Sequence, residues 1–317
     1  MKSLRYLIKR ILQMIPVLFV AIVVIFLLMR FLPGDSALAT LGDKIDPRAY
    51  EALKEERGLN ASIPQQFAIY FTNLLQGDMG TSVIYNEKVS SLIGTRMVTT
   101  ICLAFVAAIF TILVSLPLGY LAGVKRDKPA DAVIRVFALI GLSSPAFWVG
   151  LLLLIVFGVQ LKLLPVSGWG RSWPAHFRAL ILPGMTLAFS SIAVLIRNIR
   201  NNVIDVQEAD YVDFGRSKGL SNWKISTGYV LRNALIPTVT LLSLRIIGML
   251  SGSVIIENIF GLPGIGALLV QAVTGRDYAV VQGGVIVFVM IVLVVNVITD
   301  FLYSVLDHRI QLGGDEA

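Results

Sequence analysis

Three ionisable side chains stand where an ionisable side chain is costly. Arg245 falls near the middle of the apolar run Leu235–Ile256, Glu257 follows that run directly, and Asp300 lies inside Gly284–Leu306. A cation at the centre of an apolar span costs about 2.5–3.5 kcal/mol on the insertion scale. Such a residue either faces a water-filled path or pairs with an acid, and Asp300 and Glu257 are the candidate acids. A structural ion pair between helices would answer the same cost. Other chemistry is hard to build from this chain. Gly215-Arg-Ser-Lys-Gly219 has glycines and a lysine, but not the Gly-x-x-x-x-Gly-Lys-[Ser/Thr] spacing that cradles phosphates. Gly261-Leu-Pro-Gly264-Ile-Gly266 is only superficially like a dinucleotide loop, because Pro263 interrupts it. The same Gly215–Gly219 stretch spells Gly-x-Ser-x-Gly, but it lies in a polar, helix-forming segment and not on the strand-to-helix turn of a nucleophile elbow. Two histidines, His176 and His308, and one cysteine, Cys102, are too few for a metal cluster or a disulfide framework. His176 stands beside Trp169 and Trp173, a pattern that an aromatic belt at a membrane interface explains. No catalytic residue and no metal site are expected.

The elements that must position these residues are apolar. Hydrophobic residues make up 56% of the 317-residue chain and charged residues 15%, against about half and a quarter in soluble domains. A bilayer core needs roughly 20 apolar helical residues. Six runs meet that need, at about Ile11–Met29, Val98–Val124, Val133–Gln160, Leu180–Ile196, Leu235–Ile256 and Gly284–Leu306. The first follows Lys2, Arg5, Lys9 and Arg10, as a signal peptide would, but its apolar core is too long for one and Arg30 closes it, so it reads as a retained span. The expected fold is all-α and polytopic. Pro16, Pro117, Pro145 and Pro183 are expected to kink or start helices. The net charge of +7 does not imply nucleic acid, since the cations flank apolar spans and form no single stripe.

Orientation follows from the short loops. With the N-terminus inside, the inner side holds Lys125, Arg126, Lys128 and Arg135, then Arg197, Arg200, Arg216, Lys218, Lys224 and Arg232, then Arg309. The short outer loops hold Lys162, Arg171, Arg178 and Arg276. Both termini are therefore expected in the cytoplasm. The organisation reads as residues 1–30 (cytoplasmic end and first span), 31–95 (an extracytoplasmic segment), 96–306 (a five-span core) and 307–317 (a cytoplasmic tail). In the outer segment, Asp46-Pro47 with Glu51, Glu55 and Glu56 reads as one helix start. Ile63-Pro64 reads as another, with Phe67, Tyr70, Phe71 and Leu74 at helical spacing and Gly77 as its stop.

Between the fourth and fifth spans lies a polar, basic segment, 197–233, too long for a simple turn. Asp205, Glu208 and Asp210 suit the positive end of a short helix, and Arg216 and Lys218 suit its negative end. Gly219 would stop it in the left-handed conformation. Such a helix, held along the membrane surface, can fill a groove on a cytoplasmic partner. The plainer alternative is an ordinary solvated loop.

The order Glu208-Ala209-Asp210, Gly219 and Leu235-Ile236-Pro237 resembles the EAA loop of importer permeases of the ATP-binding-cassette (ABC) class. Asp210-Tyr211-Val212, Arg216-Ser217-Lys218-Gly219-Leu220 and Leu231-Arg232-Asn233-Ala234 are similar to the dipeptide/oligopeptide/nickel permease family, in its first-permease type. Gly252 to Gly266, Arg276-Asp277-Tyr278, Gln282 and Leu306-Asp307-His308-Arg309-Ile310 carry the same resemblance, as Asp78-Met79-Gly80-Thr81-Ser82 does loosely. The chain departs from the family at Gly215, where alanine is usual, and at His308, where proline is usual.

The resemblance implies a bacterial inner-membrane permease subunit that carries dipeptides or oligopeptides into the cytoplasm. A nickel or metallophore complex, or a glutathione-like peptide, is the alternative cargo. It implies four kinds of partner: a homologous second permease, two cytoplasmic ATP-binding subunits, an extracytoplasmic solute-binding protein and membrane lipid. Nucleic acid is not among them. ATP and magnesium would be bound by the partner subunits, with no cofactor in this chain. Asp205, Glu208, Ala209, Asp210, Tyr211, Arg216, Lys218 and Gly219 would contact the ATPases. Arg245, Glu257 and Asp300 are the candidates for the translocation path. A different class, an ion-coupled secondary transporter, would need more paired ionisable residues at mid-membrane than Arg245 and Asp300 supply.

Overall fold

The structure is a computed structural model that describes residues 2–31 and 60–306, with side chains for 10–31 and 60–299 apart from Ile236. The expected helix start at Asp46-Pro47, with Glu51, Glu55 and Glu56, lies outside the described residues, and so do His308 and the tail. The described part is mostly helical: α1 (Lys2–Phe31), α2 (Ile63–Leu75), α3 (Val89–Val124), α4 (Pro129–Ser143), α5 (Ala146–Leu153), α6 (Trp173–Gln207), α7 (Asp210–Ser217), α8 (Arg232–Ile259), α9 (Ile265–Thr274) and α10 (Tyr278–Leu306). Five helices are long and apolar enough to cross a bilayer, or six if the bent pair α4 and α5 counts as one span.

That pair corrects the expected continuous span Val133–Gln160. The two helices meet at 108°. Ser144 caps α4 in an extended conformation and Pro145 caps α5 in another. Proline supplies no N–H to continue α4 and disfavours the helical conformation of the residue before it. Beyond Leu153 the chain continues as a π-helical stretch, Leu154–Gln160.

The chain divides into two compact units. One comprises residues 1–7, 101–262 and 295–317. Its axis is α6, which packs against α4, α5 and α8. Leu180, Leu187, Ile192 and Ile196 of α6 meet Leu103 and Ala107 of α3, Ile134 and Ala138 of α4, and Met249 and Ile256 of α8. The close approach of α3 depends on glycine: a Cβ on Gly119 would lie 2.7 Å from the Cβ of Ile199, and one on Gly123 2.6 Å from that of Val203. Small residues four apart let membrane helices approach this closely, because packing rather than water exclusion holds such helices together.

The other unit comprises residues 8–100 and 263–294. Ile22 and Ile25 of α1, Val89 and Ile93 of α3, Ile265 and Leu268 of α9, and Val281 and Ile286 of α10 form its core. The helix expected at Ile63 is present as α2, with Pro64 in its first turn and Gly77 at φ +79° beyond its end. Its Phe67 and Tyr70 pack on Phe26 of α1, with ring centroids 5.2 and 5.6 Å apart. Burial of Tyr70 pushes its phenol up to about 12. Asp277 is fully buried at the start of α10. Its carboxylate accepts the Ser82 hydroxyl at 2.5 Å and the Ile84 N–H at 3.2 Å, which fixes the turn 81–88. Along α1, Ile11, Leu12, Ile15 and Phe19 stay exposed, an arrangement suited to lipid rather than water.

Candidate coupling element and mid-span pocket

The coupling element begins later than the charge pattern suggests. α6 does not stop with its apolar core. Ile199, Val203 and Val206 continue its buried face, so it runs to Gln207 and takes Asp205 into its last turn. Asp205 therefore sits at the negative end of α6, not at the positive end of a short helix. Glu208 caps α6, Ala209 turns the chain, and α7 starts at Asp210. The expected charge order holds from there, with Asp210 and Asp213 in the first turn and Arg216 in the last.

Gly219 ends α7 as expected, at φ +75°. The Leu220 N–H reaches the Gly215 carbonyl at 3.2 Å and the Gly219 N–H reaches that of Arg216 at 2.9 Å. This is a Schellman motif, which satisfies the last carbonyls of the helix. Val212 and Gly215 are buried, and Val212 packs with Ile199, Val203, Ile225 and Val230. The opposite face is open. Tyr211 and Phe214 are exposed there, and Trp223, just beyond Gly219, is 75% exposed. The Lys218 ammonium lies over the Phe214 ring at 4.4 Å. The resemblance points to Tyr211 but not to Phe214 or Trp223. Their signal was available: large aromatics in an otherwise polar segment.

Two ion pairs, one at the entry to this element and one before it on α6, reach the turn after α3 and the start of α4. Arg126 donates to Glu208 at 2.5 Å, both side chains being largely exposed. Deeper in, Asp131 of α4 is fully buried. It accepts Arg200 Nε at 2.6 Å and Nη2 at 2.8 Å, and the Asp127 N–H at 3.0 Å. Arg135 lies 3.5 Å from the same carboxylate. By the charge of the short loops alone, Arg126, Arg135 and Arg200 are simply cations expected on the inner side. Asp127 and Asp131 are the sole acids between Val89 and Ile204, and that isolation was the signal.

The path candidates separate. Arg245 of α8 lines a pocket of about 500 Å³ with Phe147 of α5 and Ser190 and Ser191 of α6. It is the only charged residue in that lining, and no ion pair reaches it among the described residues. Glu257 is fully buried on the same helix. Twelve residues of helix are about 18 Å of rise, too far for Glu257 to pair with Arg245. The Asp300 side chain lies outside the described ones. His176 stacks on Trp169 at 4.3 Å, with Nδ1 2.7 Å from the Trp169 carbonyl. The glycine run after Gly261 forms the turn from α8 to α9, with no strand before it.

Residues 115–312 match the sequence family described as the binding-protein-dependent transport system inner membrane component, and residues 3–104 match its N-terminal companion. The chain belongs to that family. A Brucella abortus protein named as a peptide transport system permease is 37% identical over 306 residues, 96% of this chain and 98% of its own length. The glutathione transport system permease protein GsiC of Escherichia coli is 36% identical over 308 residues, 97% of this chain and 99% of its own. Among solved structures, a chain of the MetNI methionine ABC transporter, in an inward-facing conformation, superposes with a TM-score of 0.58. It is 17% identical and covers 68% of this chain and 97% of its own. A chain of an amino acid ABC transporter with histidines gives 0.50 at 22% identity, covering 70% and 95%. These two structures share the fold. The permease is a multi-pass membrane protein and a subunit of an ABC importer.

Proposed function

We propose that the permease forms the translocation path for short peptides entering the cytoplasm. In this reading it works beside a homologous second permease, two ATPases that bind ATP and magnesium, and an extracytoplasmic solute-binding protein. The observation that carries the cargo class is the match along nearly the whole chain to relatives named for peptide and glutathione transport. Six spans with both termini in the cytoplasm and residues 31–95 outside follow from the charge of the short loops. The bent pair α4 and α5 is then one broken span. Irregular backbone at membrane depth is tolerated where it lines a cavity.

The ATPases dock on α7. A short amphipathic helix with its apolar side fixed to the membrane core, and with Tyr211, Phe214 and Trp223 open, has the form of a lever. Glu208, Ala209 and Asp210 set its entry and Lys218 and Gly219 its end. Arg216 holds Asp213 one turn before it at 3.1 Å. Asp205, in the last turn of α6, stands on the arm that the lever moves. Arg245 lines the path, with Asp300 the acid on another helix best placed by sequence to balance it, and Glu257 buried further along α8.

The test is uptake into proteoliposomes of the reconstituted complex with a loaded binding protein. Peptide import that needs ATP supports the reading. Import driven by a proton gradient without ATP replaces it with a secondary transporter.

A further inference from the structure

We infer that Arg245 is the counter-charge for a free carboxylate of the cargo, so that the pocket it lines is a transient anion site within the membrane. The inference rests on the peptide reading and adds to it a named contact and a chemical group.

The pocket lies where the middles of two helices meet the start of a third. Arg245 is near the middle of α8, Ser190 and Ser191 are near the middle of α6, and Phe147 is in the first turn of α5, just past the 108° bend. Transporters commonly bind their solute near the bilayer midplane, beside a broken helix. A volume of about 500 Å³ lies within the range of small-molecule sites.

The polar groups of the lining suit an anion. Among the described residues Arg245 is the one charge of the lining, which includes no acid. The first turn of α5 presents the positive end of a helix dipole to the same space. The hydroxyls of Ser190 and Ser191 make no hydrogen bond among the described residues. The hydroxyls of Thr186, Ser243 and Ser253 on the same two helices are turned back onto their own backbone carbonyls. Gly248 and Gly252, on the same face of α8 as Arg245, add no side chain to the lining. Two free hydroxyls beside a guanidinium can together take both oxygens of a carboxylate. A cation at this depth is costly while alone, and a carboxylate arriving with the cargo offsets that cost only during passage.

The test compares trialanine with its C-terminal amide, titrated onto the permease–ATPase complex in nanodiscs without binding protein. The acid is expected to bind at least tenfold more tightly than the amide. Arg245→Lys should keep that preference and Arg245→Gln should abolish it. Equal binding of acid and amide to the unaltered complex overturns the inference, whatever the variants do. Absence of acid binding, or a preference that survives Arg245→Gln, overturns it too. The latter result would assign Arg245 to a pair such as one with Asp300. Failure of the peptide reading would show separately, as no ATP-dependent trialanine uptake by the same complex.

Discussion

Asp131 and Arg200, 69 residues apart in sequence, form a two-point ion pair of 2.6 and 2.8 Å in which the carboxylate is wholly buried. The pair fastens the start of α4 to the C-terminal half of α6, three turns before the coupling element. Breaking a buried pair strands the remaining charge, at a cost of roughly 3–5 kcal/mol, whereas removing both partners costs much less. Asp131→Ala is therefore expected to lower the yield and thermal midpoint of the purified complex sharply. Adding Arg200→Met should recover part of both. The neighbouring pair of Arg126 and Glu208 is exposed and worth less than about 1 kcal/mol, so Arg126→Ala should leave the midpoint nearly unchanged.

Two glycines of the coupling element should respond in opposite directions. Gly219 has open space around it but a left-handed backbone, so any Cβ is strained there by about 1–2 kcal/mol. Gly215 has a helical backbone, and a Cβ would meet Leu220 at 3.5 Å, an ordinary contact. Gly215→Ala, which restores the residue usual in the resembled family, should stabilise α7 by about 0.5–1 kcal/mol. Gly219→Ala should destabilise it. Hydrogen exchange of the amides of residues 214–220 separates the two outcomes.

A third glycine fixes the distance between α3 and α6. Gly123→Leu cannot fit against Val203 without pushing the helices apart. Overpacking of this kind costs about 1–3 kcal/mol or more. The expected result is a loss of assembled complex in detergent, partly rescued by Val203→Ala. Equal yields of the parent and Gly123→Leu would show that the helices are not this close.

Topology can be read with an impermeant thiol reagent on intact cells, after Cys102 is replaced. A cysteine at Glu55 should label from outside and one at Asn222 should not. The reverse pattern would invert the orientation inferred from Arg126, Arg200 and their neighbours.

How legible these features were in the sequence depends on their range. The five unbroken apolar helices and the caps at Gly77 and Gly219 are local, and each overlaps the place that composition and spacing give it. The break at Pro145 was half visible: the proline was noted, but the apolar run continues through it and hides the 108° turn. The extension of α6 to Gln207 was masked by charge, since the acids at Asp205 and Glu208 read as a helix start while Ile199, Val203 and Val206 carried the helix onward. The pair of Asp131 with Arg200 was out of reach, because nothing local says which of several inner cations a buried acid will take. Arg245 was legible as costly. The pocket beside it was not, since three separate helices make it.

The most direct test of the central claim is solute-stimulated ATP hydrolysis and uptake, measured together in the reconstituted complex with Glu208→Ala and with Gly219→Asp. If α7 is the joint between the ATPases and the membrane helices, both variants assemble at near-normal yield while loaded binding protein no longer stimulates hydrolysis and uptake falls at least tenfold. Normal stimulated hydrolysis together with normal uptake in both variants would contradict the account.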